Sequence, residues 1–287
     1  MRVTVSIPYF RCKATILKAV ESILAQSYAD LLVVVINDAD NEPPWERLSD
    51  IKDNRLVFHE IRVNKGRYFC DAIVLEATTD SFILIQDGDD WSHERRVELL
   101  VEAIRSNEAI AAVSAIQRYR LTDGVPIKKD VWTFGDLNRP LDSTYRFRSV
   151  HHGLFRTSAL LALGGTYAGF RIAYDTLLMN FLLMSGRVEY VPEPLYSLCR
   201  RTQSLTTSEE TGIRSANRRS VHRQLQQFYE AVYPTYKQYE AGKCTRELLL
   251  RTIRAVRSTL VPEEEARLLL TEAQKLRIKL QGLQANC

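Results

Sequence analysis

Short apolar runs rich in valine and isoleucine recur through the first 90 residues, at positions 3–7, 31–36, 57–61 and 82–85. They are spaced by about 26 residues, which leaves room for a crossover helix between parallel strands. Between the first two, Ile16, Ala19, Val20, Ile23 and Leu24 mark one face of a helix over 15–26, and residues 68–77 carry a weaker stripe of the same kind. Strands that are almost continuously apolar fit a parallel sheet covered on both faces.

Each run ends in a polar or turn-forming cluster. Pro8-Tyr9-Phe10 follows the first, Asn37-Asp38 the second and Asn64-Lys65-Gly66-Arg67 the third. The fourth runs into Gln86-Asp87-Gly88-Asp89-Asp90-Trp91, which places three carboxylates within four residues. In an open parallel sheet all four clusters emerge at the carboxyl edge, where ligands bind. Adjacent acids at a strand end repel one another unless a cation shares the site, and hard oxygen ligands of this kind suit Mg²⁺ or Mn²⁺. The competing reading of the same acids is a polar turn that caps the next helix.

Further along, Ser92 is a candidate N-cap for a helix running to Asn107, followed by a strand over 111–120 and a turn at Thr122-Asp123-Gly124. Residues 128–149 lack clean periodicity and read as a long binding loop. A short helix over 156–163 closes at Gly164-Gly165, a second over 174–185 ends at Gly186, and a strand over 187–191 precedes Pro192. From Ser208 the pattern is helical, with breaks expected near Pro234 and Pro262. Two apolar stripes lie in this tail: Leu249, Ile253, Val256 and Leu260, then Leu269, Ala273, Leu276, Leu280 and Leu283. The first expectation is that they pack on each other and on the body; a homodimer helix and a peripheral membrane contact are the alternatives.

Composition changes the picture in three ways. The chain has 287 residues, 45% hydrophobic and 26% charged, as in an ordinary soluble globular protein. Its net charge of +4 hides an asymmetry: from Arg200 onward 16 Lys/Arg face 9 Asp/Glu, while the preceding residues hold 23 against 26. A basic tail suits anionic contacts, although no basic-aromatic repeat points to nucleic acid. The 5 cysteines are scattered without a Cys-x-x-Cys pair, which argues for a reducing compartment. With a strand-like run from Val3 and no long apolar stretch, the expected location is cytoplasmic.

The ordered set of motifs resembles the inverting GT-A fold glycosyltransferases of glycosyltransferase family two, over roughly residues 3 to 205. Val5-Ser6-Ile7-Pro8-Tyr9 looks like that family's opening strand and Pro-aromatic turn. Residues 19–27 resemble its first helix, Ile36-Asn37-Asp38 the acidic end of its second strand and Asn64-Lys65-Gly66 a recurrent turn. Asp87-Gly88-Asp89 is similar to the DXD motif. Residues 153–156, Gly164-Gly165, Asp175 and residues 192–196 resemble the acceptor half. The chain departs from the pattern at Asn37-Asp38-Ala39-Asp40, at Asp71 in place of an arginine, at Tyr174 before the base and at Arg201 in place of a late histidine.

The resemblance implies an α/β GT-A fold: a Rossmann-like, mostly parallel sheet with a C-terminal helical extension. Residues 1–206 would form the catalytic domain (1–110 the nucleotide-sugar half, 111–206 the acceptor half), with 207–287 as the extension. It implies sugar transfer from a nucleotide diphosphate sugar, with uridine the expected nucleotide, to a hydroxyl acceptor. Asp175 would be the general base, with Asp89 and Asp87 on a Mn²⁺ or Mg²⁺ ion. Donor contacts would come from Pro8, Tyr9, Phe10, Asp38, Asn64, Lys65, Arg67, Asp87, Gly88 and Arg201. Asp175 could equally be a first-turn acid that complements a helix dipole. Trp91 either stacks on an acceptor sugar or packs, and Asp90 either supports the metal or caps a helix. Adjacent histidines on a strand face opposite ways, so only one of His151 and His152 is expected to reach the site, His152 as an acceptor contact. A nucleotidyltransferase would carry a glycine-rich loop after the first strand, which Pro8-Tyr9-Phe10-Arg11 lacks. The remaining alternative is a catalytically silent nucleotide-sugar-binding subunit of a larger assembly.

Overall fold

The computed structural model describes residues 1–122, 125–200 and 204–284. Four parallel strands open the chain: β1 (Val3–Tyr9), β2 (Leu31–Asp38), β3 (Leu56–Ile61) and β4 (Phe82–Ile85). The crossovers are α1 (Ile16–Leu24), a short α2 (Pro44–Leu48) and α3 (Arg67–Ala77). β2 and β4 flank β1, so the strand order reverses between β1 and β4. Such a reversal opens a crevice at the carboxyl ends of the strands.

Beyond β4 come β5 (Trp91–Ser92), α4 (Arg96–Ser106), β6 (Ala111–Thr122), β7 (Val125–Trp132), β8 (Gly153–Arg156), α5 (Thr157–Ala162), α6 (Tyr174–Ser185) and β9 (Val188–Arg200). Among the described residues they extend the sheet to nine strands in the order β3-β2-β1-β4-β8-β6-β9-β5, with β7 paired to β6. β8 runs antiparallel to both β4 and β6. Two apolar cores result, one on each sheet face, as the continuous apolar strands require.

Several elements differ from the sequence-based expectation. Ser92 does not cap α4; it lies in β5, donates from its hydroxyl to Gln86 and accepts from Arg96. Residues 128–132 belong to β7, so the irregular segment is shorter and begins after Trp132; Asp123 and Gly124 of the expected turn lie outside the described residues. β9 continues through Pro192 and Pro194, absorbing them in register shifts opposite Ser114, Ala115 and Ile116 of β6.

The tail forms α7 (Ala216–Glu240), α8 (Arg246–Ser258) and α9 (Glu263–Gln284). Pro234 does not break α7. A proline inside a helix costs about 3 kcal/mol, but here buried Leu225, Tyr229, Val232 and Tyr236 hold the helix on both sides of it. The hydroxyl of Tyr229 donates to the Asp142 carbonyl at 2.6 Å, and that of Tyr233 to the Leu141 carbonyl at 3.3 Å. α8 packs against α6 and α7, whereas α9 lies on α3 and β3. A His59–Glu272 hydrogen bond (3.1 Å) and a Lys65–Glu265 ion pair (2.9 Å) add to the α9 contact. Both tail stripes therefore cover the body of this chain. No helix among the described residues is long and apolar enough to cross a membrane.

Leu276 is fully buried between α9 and the body. Leu276→Ala should cost about 2–5 kcal/mol, read as a lower urea midpoint. An unchanged midpoint would mean that α9 is not part of the cooperative fold.

Candidate active site

All four strand-end clusters meet at the crevice. The Asp38 carboxylate accepts from the Asn64 side chain at 2.9 Å and from the backbone N–H groups of Lys65 at 2.7 Å and Gly66 at 2.8 Å. These bonds pin the turn after β3 to the end of β2. Burial pushes Asp38 up to about 6, against the pull of the backbone donors. At the end of β1, Tyr9 is buried and donates to the Glu42 carbonyl at 2.7 Å, while Phe10 lies beneath Arg11. Pro8 meets the fourth turn: a Cβ added to Gly88 would lie 3.0 Å from the Pro8 carbonyl oxygen and 2.8 Å from the Cys12 sulfur. A larger residue would crowd both atoms.

Asp87 is the centre of the charge network. Its carboxylate lies 2.9 Å from Arg67 Nη1 and 2.7 Å from His152 Nε2, a contact that requires the proton on Nε2. Burial would raise its pKa, but Arg67 and His152 override that and hold it far below the carboxylate range. Arg67 is shared with Asp71 at 3.3 Å, and Asp71 in turn accepts from Ser6 at 2.7 Å. Burial pushes Asp71 up to about 6 despite Arg67. Asp90 is buried, accepting from the Tyr196 hydroxyl at 2.6 Å and the Cys199 N–H at 2.7 Å. Burial and the neighbouring Asp89 and Asp87 raise its pKa. Below the acids lies Arg96, wholly buried, donating to Gln86 at 2.7 Å and to the Ile85 carbonyl at 3.1 Å. Its guanidinium carbon sits 4.6 Å from the centre of the Tyr196 ring.

Asp175, in the first turn of α6, closes the opposite side. One carboxylate oxygen accepts from the Tyr68 hydroxyl at 2.9 Å, and the other lies 3.2 Å from His151 Nδ1. Burial would raise it, yet His151 and Tyr68 hold it well below the carboxylate range. The ring centres of His151 and His152 are 4.2 Å apart with their planes inclined at 40°, so one tilted pair joins Asp175 to Asp87. Both histidines thus face the crevice, contrary to the strand-alternation expectation. They precede β8 rather than lying in it, and the alternation rule does not apply.

Other expected residues lie elsewhere. His152 sits on Asp87 and stacks on Tyr196, with ring centres 4.5 Å apart. Trp91 packs between Lys18, 3.2 Å from the ring centre, and Tyr119 at 4.7 Å. Lys65 contributes its backbone to Asp38 but its ammonium to Glu265. Asp89 is half-exposed in the acidic turn, and Arg201 lies outside the described residues. Ligand atoms of Asp87, Asp90 and His152 come within 4.8 Å of one another. Two carboxylates and an imidazole, whose Nδ1 has no protein partner, fit a divalent cation. Sequence reasoning missed His151, Tyr68, Arg96 and Tyr196 as a connected set. Arg96 did leave a trace, since Arg96, Leu100 and Ile104 form a four-residue stripe that is buried throughout.

A doubly covered sheet with an acidic turn at its switch point, facing a carboxylate across the crevice, defines a nucleotide-sugar transferase architecture. The chain belongs to glycosyl transferase family 2, whose model matches residues 4–164. Among curated relatives, the Escherichia coli UDP-Glc:alpha-D-GlcNAc-diphosphoundecaprenol beta-1,3-glucosyltransferase WfaP is 28% identical over 89 residues, 31% of this chain and 36% of that protein. Glycosyltransferase GlyA of Streptococcus pneumoniae is 25% identical over 126 residues, 43% of this chain and 18% of that one. The chain thus matches only a minor part of these relatives' lengths. Residues 1–349 of S. aureus TarS, solved with UDP-GlcNAc, superpose with a TM-score of 0.62 at 14% identity, covering 97% of this chain and 89% of that one. This likeness shows the GT-A fold.

In metal-free protein, burial first, then Arg67 and His152, pull His151 down to about 4 from the ordinary 6.5. The unfolded chain takes up that proton first, so the histidine's contribution to stability is full above pH 6.5 and drains away toward pH 4. Asp38 and Asp71, raised to about 6, act in the opposite sense: the folded chain takes up their protons first as pH falls below 6. Overall stability therefore masks the effect, and the NMR shift of the His151 ring is the direct readout. Its midpoint should lie near 4; a midpoint of 6 or above contradicts the burial described.

Proposed function

We propose that the chain is an inverting glycosyltransferase that moves a sugar from a UDP-sugar to a hydroxyl acceptor, with Asp175 as general base. One observation carries this reading: Asp175 and Asp87 face the same crevice and are joined by the His151–His152 pair. A donor pole and a base pole across one gap suit attack on the anomeric carbon from the side opposite the leaving diphosphate. The uridine donor is supported by the UDP-Glc in the name of the E. coli relative and by the UDP-GlcNAc bound to TarS.

Asp175 meets the first requirement of a base, being held ionised while its remaining lone pairs stay available to an acceptor hydroxyl. Pro8, Tyr9, Phe10 and Asp38 are assigned to the nucleobase and ribose, with Asn64 shaping that pocket. Arg67 and Arg201 are assigned to the diphosphate, which Gly88 lets approach closely, while the Lys65 ammonium stays with Glu265. Asp87, Asp90 and His152 would hold Mn²⁺ or Mg²⁺, with Asp89 as the further carboxylate from the turn; His152 thereby moves from the acceptor to the metal side. Once bound, the cation would neutralise charge growing on the leaving diphosphate. Residues 1–206 would be the catalytic unit, split at 110 into donor and acceptor halves, with 207–287 as a helical extension packed on both. The reduced thiols of Cys70 and Cys244 support a cytoplasmic setting.

UDP release from a UDP-sugar provides the assay. Asp175→Asn should bind UDP as the wild type does yet turn over about 10²–10⁴-fold more slowly; a near wild-type rate would place the base elsewhere. Chelation with EDTA should abolish turnover and added Mn²⁺ should restore it. Full activity after exhaustive chelation would remove the metal from the reaction.

A further inference from the structure

We propose that the start of α7 forms an anion subsite for the acceptor, so that the acceptor carries a phosphate or diphosphate group. An open cleft of about 550 Å³ is lined by Ala216, Arg219, His222 and Arg223. Three of its four lining residues are basic or protonatable, and none is acidic. Arg219 lends one N–H to the Arg214 carbonyl, and the Arg219 and Arg223 side chains are exposed. His222 links the cleft to the base through Tyr145. The His222 ring lies 5.9 Å from that of Tyr145, whose phenol sits beside Thr176 and Asp175. Tyr145 is seated on α7 through its N–H, which donates to Gln226 at 3.1 Å.

The chemistry follows from the charges. A neutral polyol needs no pair of guanidinium groups, whereas phosphate oxygens accept two parallel N–H bonds from each. Asp175 is ionised, so an anionic acceptor approaching it would be repelled unless cations stood at the entrance. Arg219 and Arg223 share their cleft with His222, the neighbour of Tyr145. The inference rests on Asp175 as the base and names the acceptor class that this base would serve.

Both arginines are exposed, so their replacement should leave the fold intact, which a thermal melt checks. The test is calorimetric titration of the full chain with inorganic pyrophosphate, with and without saturating UDP. With UDP present, Arg219→Ala/Arg223→Ala should lower pyrophosphate affinity about tenfold or more. Arg219→Lys/Arg223→Lys should keep most of that affinity, and UDP affinity should not change in either variant. Equal pyrophosphate affinity in wild type and the alanine pair overturns the proposal, as does no binding to the wild type. Vesicles of phosphatidylglycerol form a separate arm: if the alanine pair loses vesicle binding but keeps pyrophosphate, the patch is a lipid contact and the proposal fails. If UDP itself does not bind, the donor reading falls, while the titration without UDP still decides the subsite.

Discussion

Everything at this site depends on burying carboxylates at the end of β4 with cations beside them. Two like charges 4 Å apart repel by about 4 kcal/mol at an effective dielectric of 20, a large share of the 5–15 kcal/mol that holds a typical fold together. Ligand atoms of Asp87 and Asp90 come within 4.8 Å of each other, where the repulsion is only slightly weaker. Arg67 and His152 offset the first, while the Tyr196 hydroxyl and the Cys199 N–H hold the second. Arg96 supplies positive charge from below, in a setting dry enough that burial lowers its own pKa to about 10. The turn is thus stable before any ligand arrives, and its charges already point into the crevice.

Asp71 gains meaning from the same network. Where the resembling family carries an arginine, this chain places a buried acid that ties Arg67 to Ser6 of β1. The departure therefore keeps a cation at Asp87 by another route. Removing either partner would strand a buried charge, a situation that typically costs 3–5 kcal/mol.

The helical tail belongs to the same structure. Lys65, in the turn pinned to Asp38, reaches α9 through Glu265, and Arg257 of α8 donates to the carbonyls of Leu163 and Tyr167. α7 holds the segment that carries Tyr145 beside α6. The basic excess after Arg200, visible as a count in the sequence, is divided between such internal bonds and the open cleft at the start of α7.

The strand-helix alternation, the strand-end clusters and the glycine at 88 were legible from one sequence, because burial periodicity and turn chemistry are local, whereas Asp175 was marked by the family resemblance. The limits of β9 and α7 were not. Proline signals at 192, 194 and 234 are local too, but the sheet partner β6 and the tyrosines facing residues 141–142 outweighed them. Pairing His151 with His152, placing Arg96 under the acids and bringing His222 to the edge of the base all depend on long-range contacts. No spacing along the chain encodes those contacts, since they form only when two apolar faces close over the sheet. The sequence by itself thus determined which chemistry could gather at the sheet's carboxyl edge. Tertiary packing decided which cation met which acid, because the burial that makes such a pairing obligatory exists only once the chain has folded.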